Sequence, residues 1–197
     1  ESKIKLSCGV NKVTKEGELW SVTDVNGGVA HFDDVVFACH SDQALAMLDN
    51  ATASHKDILG NIPYGENDVV MHKDIGQLPK RKLAWASWNY RLKEDATEEM
   101  RPASVTYDMN ILQRLTAKNT YSVTLNNTSE IDKSKILGQY RYSHPQYSAD
   151  MVNAQQRRSE ICGVDNLHFC GAYWYNGFHE DGVVSALDVC KRFGETL

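Results

Sequence analysis

The chain contains 197 residues with a formal net charge of −5, and 42% of its residues are hydrophobic and 24% are charged. This composition is typical of a folded globular protein, and it argues against nucleic acid as the main partner because no basic stripe is present. No apolar run reaches the length of a transmembrane helix, and the first residues lack the apolar block of a signal peptide.

The cysteines form an odd set without CxxC spacing: Cys8, Cys39, Cys162, Cys170 and Cys190. Each lies in an apolar stretch, so we expect reduced, packed thiols in a cytoplasmic protein. His168, Cys170 and His179 lack the spacing of a structural zinc site, and we predict no metal.

The first forty residues predict a β-meander with strands at 4–14, 19–25 and 29–32. The Asn26-Gly27 dipeptide is typical of a tight hairpin turn, because both positions of that turn need a positive φ. The apolar run at 35–38 predicts a strand buried on both faces. Ser41 and Asp42 can cap the helix that follows.

The middle of the chain predicts further strands at 69–72, 83–90, 105–106 and 121–125. Residues 108–115 have helical spacing of their apolar side chains, and 95–100 form a charged connection. A polar helix is expected at 149–161, with Arg157 and Arg158 facing water.

The C-terminal part predicts a short apolar strand at 167–170 that stops at Gly171. A loop rich in glycine and aromatic residues follows. The last helix is expected to begin near Asp181 and Gly182 and to end at Gly194, with an apolar face formed by Val183, Leu187 and Cys190. The N-terminus of a helix presents unpaired amides and the positive end of the helix dipole, so it favours negative charge.

Several strings of residues in this chain are long and unusual. They occur at 84–90 (AWASWNY), 105–113 (VTYDMNILQ), 123–126 (VTLN), 144–145 (HP) and 171–185 (GAYWYNGFHEDGVVS). Together they resemble bacterial and plant NAD/FAD-binding, amine-oxidase-like flavoproteins of the FAD-dependent amine oxidase superfamily. Some plant members of that group are fused to a cyclopropane fatty acid synthase.

The resemblance implies an α+β or α/β fold, with a partial FAD-binding sheet, the β-meander and a mixed-sheet substrate domain. Residues 1–57 would supply the meander and a strand–helix part of the FAD-binding domain. Residues 58–145 would form the substrate-binding domain, and 146–197 the C-terminal helix and the strand–loop–helix that contacts FAD.

FAD is the cofactor that the resemblance implies, with contacts at two places. Val10 occupies the position at which relatives bring a valine to the adenine. The other contacts fall between the last strand and the last helix: Gly171, Ala172, Gly177, Phe178, His179, Glu180, Asp181, Gly182 and Val183. Asp181 would cap that helix, and the amides of Gly182 and Val183 would support negative charge on the flavin. His179 and Glu180 would face the flavin or substrate, or form a surface ion pair.

Two features depart from the superfamily pattern. The chain has no G-x-G-x-x-G sequence to hold the FAD pyrophosphate, so we expect a C-terminal fragment of a complete flavoenzyme. Relatives carry an acidic residue soon after the glycine of the last strand, whereas Ala172 and Tyr173 stand here.

Aromatic residues mark a candidate substrate pocket. Trp85, Trp88 and Tyr90 are expected to share one strand, and Tyr107 and Asn110 would line the same cavity. Two interpretations stay open: an ordinary hydrophobic face, or an aromatic wall that keeps a redox site dry.

The sequence therefore predicts part of an FAD-dependent, amine-oxidase-like oxidoreductase that transfers hydride from a small-molecule substrate, of apolar or lipid type, to the flavin. No catalytic residue is identified. The alternative is a non-catalytic binding or assembly module that keeps the flavoprotein fold without FAD. A surface left bare by the missing part would favour a homodimer.

We expect this chain to bind FAD weakly or not at all, because the pyrophosphate has no glycine-rich cradle. Absorbance spectroscopy of the purified protein measures this directly. A yellow sample with one flavin per chain would contradict the prediction.

Overall fold

The computed structural model describes residues 4–92 and 104–196. Two compact units are present: Glu1–Tyr64 with Pro145–Leu197, and Gly65–His144. The first unit thus combines the predicted segments 1–57 and 146–197, and residues 58–64 belong with them. The predicted connection at 95–100 lies outside the described residues.

The described residues form strands, α-helices and short 3-10 helices. The strands are β1 (Val10–Glu16), β2 (Leu19–Asp24), β3 (Val29–Phe32), β4 (Val35–Phe37), β5 (Tyr64–His72), β6 (Trp88–Arg91), β7 (Ser104–Asp108), β8 (Ser122–Leu125), β9 (Ile136–Pro145) and β10 (Leu167–Phe169). The α-helices are α1 (Ser41–Met47), α2 (Ala53–Gly60), α3 (Met109–Leu112), α4 (Ala149–Gln156) and α5 (His179–Cys190). The 3-10 helices are Ile75–Gln77, Lys82–Ala84, Thr128–Glu130, Lys133–Lys135, Arg158–Glu160, Ala172–Trp174 and Lys191–Phe193.

The predicted meander is present as the antiparallel sheet β1-β2-β3. Its first strand begins at Val10 rather than at residue 4. The helix that follows β4 also differs at its start, because its N-cap is His40, whose amide donates to Gln43 Oε1 (3.3 Å). Ser41 lies inside the helix, where its buried hydroxyl donates to the carbonyl of Ile62 (3.0 Å).

The core of the first unit forms around the parallel pair β4 and β10. Phe37 and Phe169 stand opposite each other on these strands, and their rings stack with centroids 5.2 Å apart. Helix α2, which the sequence analysis did not predict, buries Ile58 and Leu59 completely in this core. A sequence signal for α2 exists in Thr52, whose side chain caps the helix by accepting from the amide of His55.

The second unit is a five-stranded sheet in the order β6-β7-β8-β5-β9. The pairs β6–β7, β7–β8 and β5–β8 are antiparallel. Strand β9 also runs antiparallel to β5, because the Lys73 amide meets the Lys135 carbonyl near one end while Asn67 meets His144 near the other. The prediction of a mixed sheet is therefore wrong, since no parallel crossover links these strands.

One face of this sheet is polar and buried. Asn89, Thr106 and Thr124 stand in register across β6, β7 and β8, and His72 on β5 lies beside Thr124. The hydroxyls of Thr106 and Thr124 are 2.8 Å apart, and Thr124 Oγ1 is 2.7 Å from His72 Nε2. These side chains satisfy one another, which is why a polar face can be interior.

Other predicted elements in the second unit are shorter than expected. The strand at 83–90 is wrong in its first half, because Lys82–Ala84 is a 3-10 helix and only Trp88–Arg91 joins the sheet. The side chain of Leu83 is fully exposed, so the apolar residues at this position do not indicate a buried strand. The helix at 108–115 is reduced to α3, for which the Asp108 carboxylate caps the amides of Asn110 and Ile111.

Within the described parts of the chain, no helix has both the length and the apolar character needed to cross a membrane.

The buried histidines make stability depend on pH. Burial lowers the pKa of His72 and His55 below the usual value near 6.5, and in His72 the charge of Asp74 opposes this shift. His72 Nδ1 accepts from the Asp74 amide (3.0 Å), so the native ring is neutral with its proton on Nε2.

We expect the free energy of unfolding to fall as the pH drops below about 6.5, because the unfolded chain then binds more protons than the native one. Each histidine contributes a slope of at most about 1.4 kcal/mol per pH unit. Urea denaturation of the wild type and His72→Gln between pH 7.5 and pH 5 checks this. If the free energy of unfolding depends on pH equally in the two proteins, His72 does not contribute to the pH dependence.

Candidate functional site

The carboxyl ends of β4 and β10 lie side by side, because these strands are parallel and in register. The Cys170 amide extends the pairing by donating to the Phe37 carbonyl (2.9 Å). The chain continues from β4 into α1, and from β10 into the aromatic loop that begins at Gly171. Both connections therefore start at the carboxyl ends of the strands, which is where ligands of α/β proteins bind.

Helix α5 begins at His179, three residues earlier than predicted. Its N-cap is Phe178, and Asp181 is not the cap but accepts a hydrogen bond from the Phe178 amide (2.8 Å). The Gly182 amide donates to the Phe178 carbonyl (3.3 Å), so the first unpaired amides belong to His179 and Glu180. The predicted role for the amides of Gly182 and Val183 is therefore wrong, because both lie inside the helix.

Arg158 joins the elements that surround this helix start. Its guanidinium donates to the carbonyls of Phe169 (3.0 Å) and Ser185 (2.9 Å), and to the carboxylate of Asp188 (3.1 Å). The same guanidinium lies over the ring of Trp174, 5.3 Å from its centre. The end of β10, the aromatic loop and the middle of α5 are thus held by one side chain.

Ser185 makes a second connection between the loop and the helix. Its hydroxyl accepts from the Gly171 amide (2.8 Å) and donates to the Gly182 carbonyl (2.9 Å). Ser185 is fully buried, whereas Val183 on the predicted apolar face is exposed. The buried face of α5 therefore runs through Ser185 and Val189 rather than through Val183, Leu187 and Cys190.

Arg158 and Ser185 are positioning residues that were not predicted. Arg158 was expected on a water-facing helix surface, but α4 ends at Gln156 and the Arg158 side chain is 15% exposed. The polar stretch around it gave no sign of a buried partner. For Ser185, a serine at mid-helix next to small residues was the available signal.

The three glycines of the site differ in their surroundings. At Gly171 an added Cβ would run into the ring of Tyr173, which is buried. Gly177 has a φ of +86° and supplies a left-handed turn before Phe178. At Gly182 an added Cβ would make only an ordinary contact with Ala172 at 3.9 Å, so this position of α5 packs against the start of the aromatic loop without crowding.

Two buried polar groups in the loop have no hydrogen-bond partner. They are the hydroxyl of Tyr173 and the indole N–H of Trp174, in side chains that are 2% and 4% exposed. Burial raises the pKa of Tyr173 far above its usual value, so the phenol stays protonated. Unpaired buried donors are costly, and they are common where a ligand supplies the acceptor.

The remaining predicted cofactor residues are accessible. Phe178 is 58% exposed, and His179 and Glu180 are exposed on the first turn of α5. Ala172 opens the 3-10 helix after Gly171 and lies against Gly182. Val10 stands at the first residue of β1 and is also exposed.

The predicted pocket residues divide into two groups. Trp88, Tyr90 and Tyr107 share one face of the five-stranded sheet, and the rings of Trp88 and Tyr107 meet edge to face at 6.2 Å. Trp85 is not on the strand, and its indole N–H donates to the Pro79 carbonyl (2.7 Å). Asn110 uses its amide to hold the loop at Asn119 and Tyr121.

Two cavities of about 300 Å³ are lined by described residues that were not predicted as site residues. One lies between β5 and β9, beside Val69, Tyr140 and Arg141. The other lies beside Arg158 and Asp188, behind the aromatic loop. Both are small and open, so neither outlines a substrate by itself.

No protein-family model matches the chain, and no curated protein sequence matches it. Among solved structures, a CLA-producing fatty acid isomerase from P. acnes matches with a TM-score of 0.62 and 12% identity, over 94% of this chain and 47% of that chain. A reduced UDP-galactopyranose mutase matches with a TM-score of 0.58 and 13% identity, over 94% of this chain and 46% of the other.

The chain spans about half the length of these structures. At this level of identity the likeness shows the fold alone. It shows that this chain shares the fold of these two structures over almost its whole length.

Replacing Gly171 by alanine should destabilise the protein by about 1–3 kcal/mol, because the new Cβ and the buried Tyr173 ring cannot both fit. Gly9→Ala is the control, since its Cβ would have a normal contact with Val25 at 3.6 Å. Urea denaturation measures both variants. Equal stability of Gly171→Ala and wild type would show that the ring moves freely.

Proposed function

We propose that this chain is part of an FAD-dependent oxidoreductase and that the flavin end of the cofactor binds at the start of α5. The observation that carries the proposal is the uncapped first turn of that helix. Phe178 provides no side-chain acceptor, so the amides of His179 and Glu180 are available to an acceptor atom of a ligand.

The residues around this turn fit an aromatic ring system. The exposed Phe178 ring stands next to the unpaired amides and offers a flat apolar surface. The unpaired donors of Tyr173 and Trp174 belong to the same loop. Arg158 and Ser185 hold the loop and helix together, so these groups are preorganised rather than assembled on binding.

FAD, when bound, supplies the acceptor for a hydride from the substrate. In this proposal the chain binds the flavin ring through the amides of His179 and Glu180. On the second unit, the apolar residues Trp88, Tyr90 and Tyr107 bind an uncharged part of the substrate. An apolar or lipid-type substrate agrees with this choice of residues.

The proposal does not assign the pyrophosphate to these 197 residues, since they contain no G-x-G-x-x-G turn. Flavin-ring contacts alone leave most of the binding energy of FAD unused. The expected dissociation constant is therefore in the millimolar range, which corresponds to a binding free energy of about −4 kcal/mol.

Titration of the isotope-labelled chain with FAD should shift the amide NMR signals of residues 171–183. His179→Pro should weaken this binding at least threefold, because it removes one of the two amides that the proposal assigns to the ligand. His179→Ala is the matched control, because it keeps that amide and changes only the side chain. Proline is tolerated at the first position of a helix, so both variants should remain folded. Shifts confined to other residues, or equal affinities of the two variants, would refute the proposed site.

A further inference from the structure

The face of the five-stranded sheet opposite the buried polar one is apolar. A first row of side chains stands in register across four strands: Trp88, Tyr107, Val123 and Met71. A second row stands beside it: Tyr90, Val105, Leu125 and Val69. We call these two rows, together with Tyr140 and Tyr142 of β9, the apolar face.

Strand β9 contributes its tyrosines to this face. Arg141, between them, reaches Glu66 and Asp68 on the same side of β5 as His72. Because side chains alternate along a strand, Tyr140 and Tyr142 lie on the other side, with Val69 and Met71. Their rings are stacked, with centroids 5.9 Å apart and planes within 4°.

The apolar face is accessible mainly at its two edge strands, whereas its centre is half-buried and Val69 there is 7% exposed. Trp88 and Tyr90 at one edge are 59% and 62% exposed, and Tyr140 and Tyr142 at the other are 50% and 54% exposed. The sheet buries its polar side instead. In an antiparallel sheet with one side in solvent, the buried side is normally the apolar one. A contiguous exposed apolar area of this kind marks a binding surface.

The chemistry of the face favours a hydrocarbon. Among the described strand residues on this side, none is lysine, arginine, aspartate or glutamate. A charged group placed on it would lose hydration without gaining a partner. Aromatic side chains on the two edge strands flank mainly aliphatic ones in the middle, a surface that can make dispersion contacts with a methylene chain along its whole length.

A polar group stands where the face ends. His144 is two residues beyond Tyr142 on β9, and its Nδ1 is 3.0 Å from Asn67 Nδ2. The Asn67 carbonyl oxygen accepts from Asn126, which fixes the orientation of the amide. His144 Nδ1 therefore accepts, and its Nε2–H is left to donate to an oxygen of a ligand.

The size of the face distinguishes a small ligand from a second copy of the chain. Four interstrand spacings make it roughly 19 Å long, and its two rows are about 7 Å apart. A stable dimer buries about 800 Å² on each partner, which is more than this strip supplies by itself. An elongated molecule of small cross-section matches the shape.

We propose that the apolar face binds the hydrocarbon chain of a fatty-acyl molecule, whose terminal oxygen accepts from His144. The claim that a fatty-acyl molecule is the substrate of the oxidoreductase rests on the proposed function. The claim that the apolar face binds such a molecule rests only on the structure of the sheet.

Binding of a fluorescent fatty acid, cis-parinaric acid, to the purified chain without flavin tests the proposal. We expect saturable binding of one molecule per chain. Tyr90→Lys and Met71→Lys should each weaken it at least tenfold, because they place a charge beside the hydrocarbon. Leu83→Lys, at a fully exposed position outside the face, should leave it unchanged. His144→Ala should weaken the acid several-fold and leave a competing alkane of equal length unaffected.

Absence of saturable binding by the wild type would overturn the proposal, as would equal effects of Leu83→Lys and Tyr90→Lys. Sedimentation that shows a dimer abolished by Tyr90→Lys would also overturn it, by assigning the face to a second copy. Circular dichroism confirms that each variant is folded. Because flavin is omitted, failure here leaves the FAD titration standing, and failure of that titration leaves this site standing.

Discussion

The arrangement of the C-terminal site depends on the largely buried guanidinium of Arg158, whose side chain is 15% exposed. Burying this charge is expensive, and the cost is offset by charge-assisted hydrogen bonds to Phe169, Ser185 and Asp188, each of which contributes about 1.5–3 kcal/mol. Asp188 is held ionised, since the hydrogen bond from Tyr175, with the nearby charge of Arg158, lowers its carboxyl pKa. A guanidinium is needed because its planar fork reaches two carbonyls and a carboxylate while stacking on Trp174. Strand, loop and helix therefore cannot move independently.

The sheets of the two units bury side chains of opposite polarity. The pair β4–β10 buries Phe37 and Phe169 on one face, whereas Val36 on the other face of β4 is 45% exposed, so the predicted burial of this strand on both faces is wrong. The five-stranded sheet instead covers its polar side with loops that carry their own hydrogen-bonding groups. Asp74 illustrates this: burial would raise its pKa, but the amides of Asp132 and Gly76 and the ammonium of Lys135 outweigh burial and hold the pKa at about 2. Since polar side chains and loops complete the interior, the apolar side remains accessible.

The parts of the fold that the sequence predicted well are those set by local patterns. Strand β3 falls at the predicted residues, and the meander follows from the turn at Asn26 and Gly27. Predictions failed where distant contacts decide: the run at Leu83 is apolar yet exposed, and Arg158 is charged yet enclosed by groups 11 to 30 residues away. The predicted site shows the same division. The glycine-rich loop and helix start could be located from spacing, whereas the helix register could not, because Phe178 as N-cap gives no recognisable capping signal.

The charges on the first turn of α5 restrict what it can bind. Glu180 and Asp181 lie on that turn, where they already interact with the helix dipole and reduce the attraction for an anion. A phosphate at this position would be repelled by both carboxylates. A neutral carbonyl oxygen would still accept hydrogen bonds from the unpaired amides. The same hydrogen bonds would stabilise negative charge that develops on this oxygen. The turn is therefore better suited to the pyrimidine edge of a flavin than to a pyrophosphate, which agrees with the absence of a glycine-rich phosphate turn in these residues.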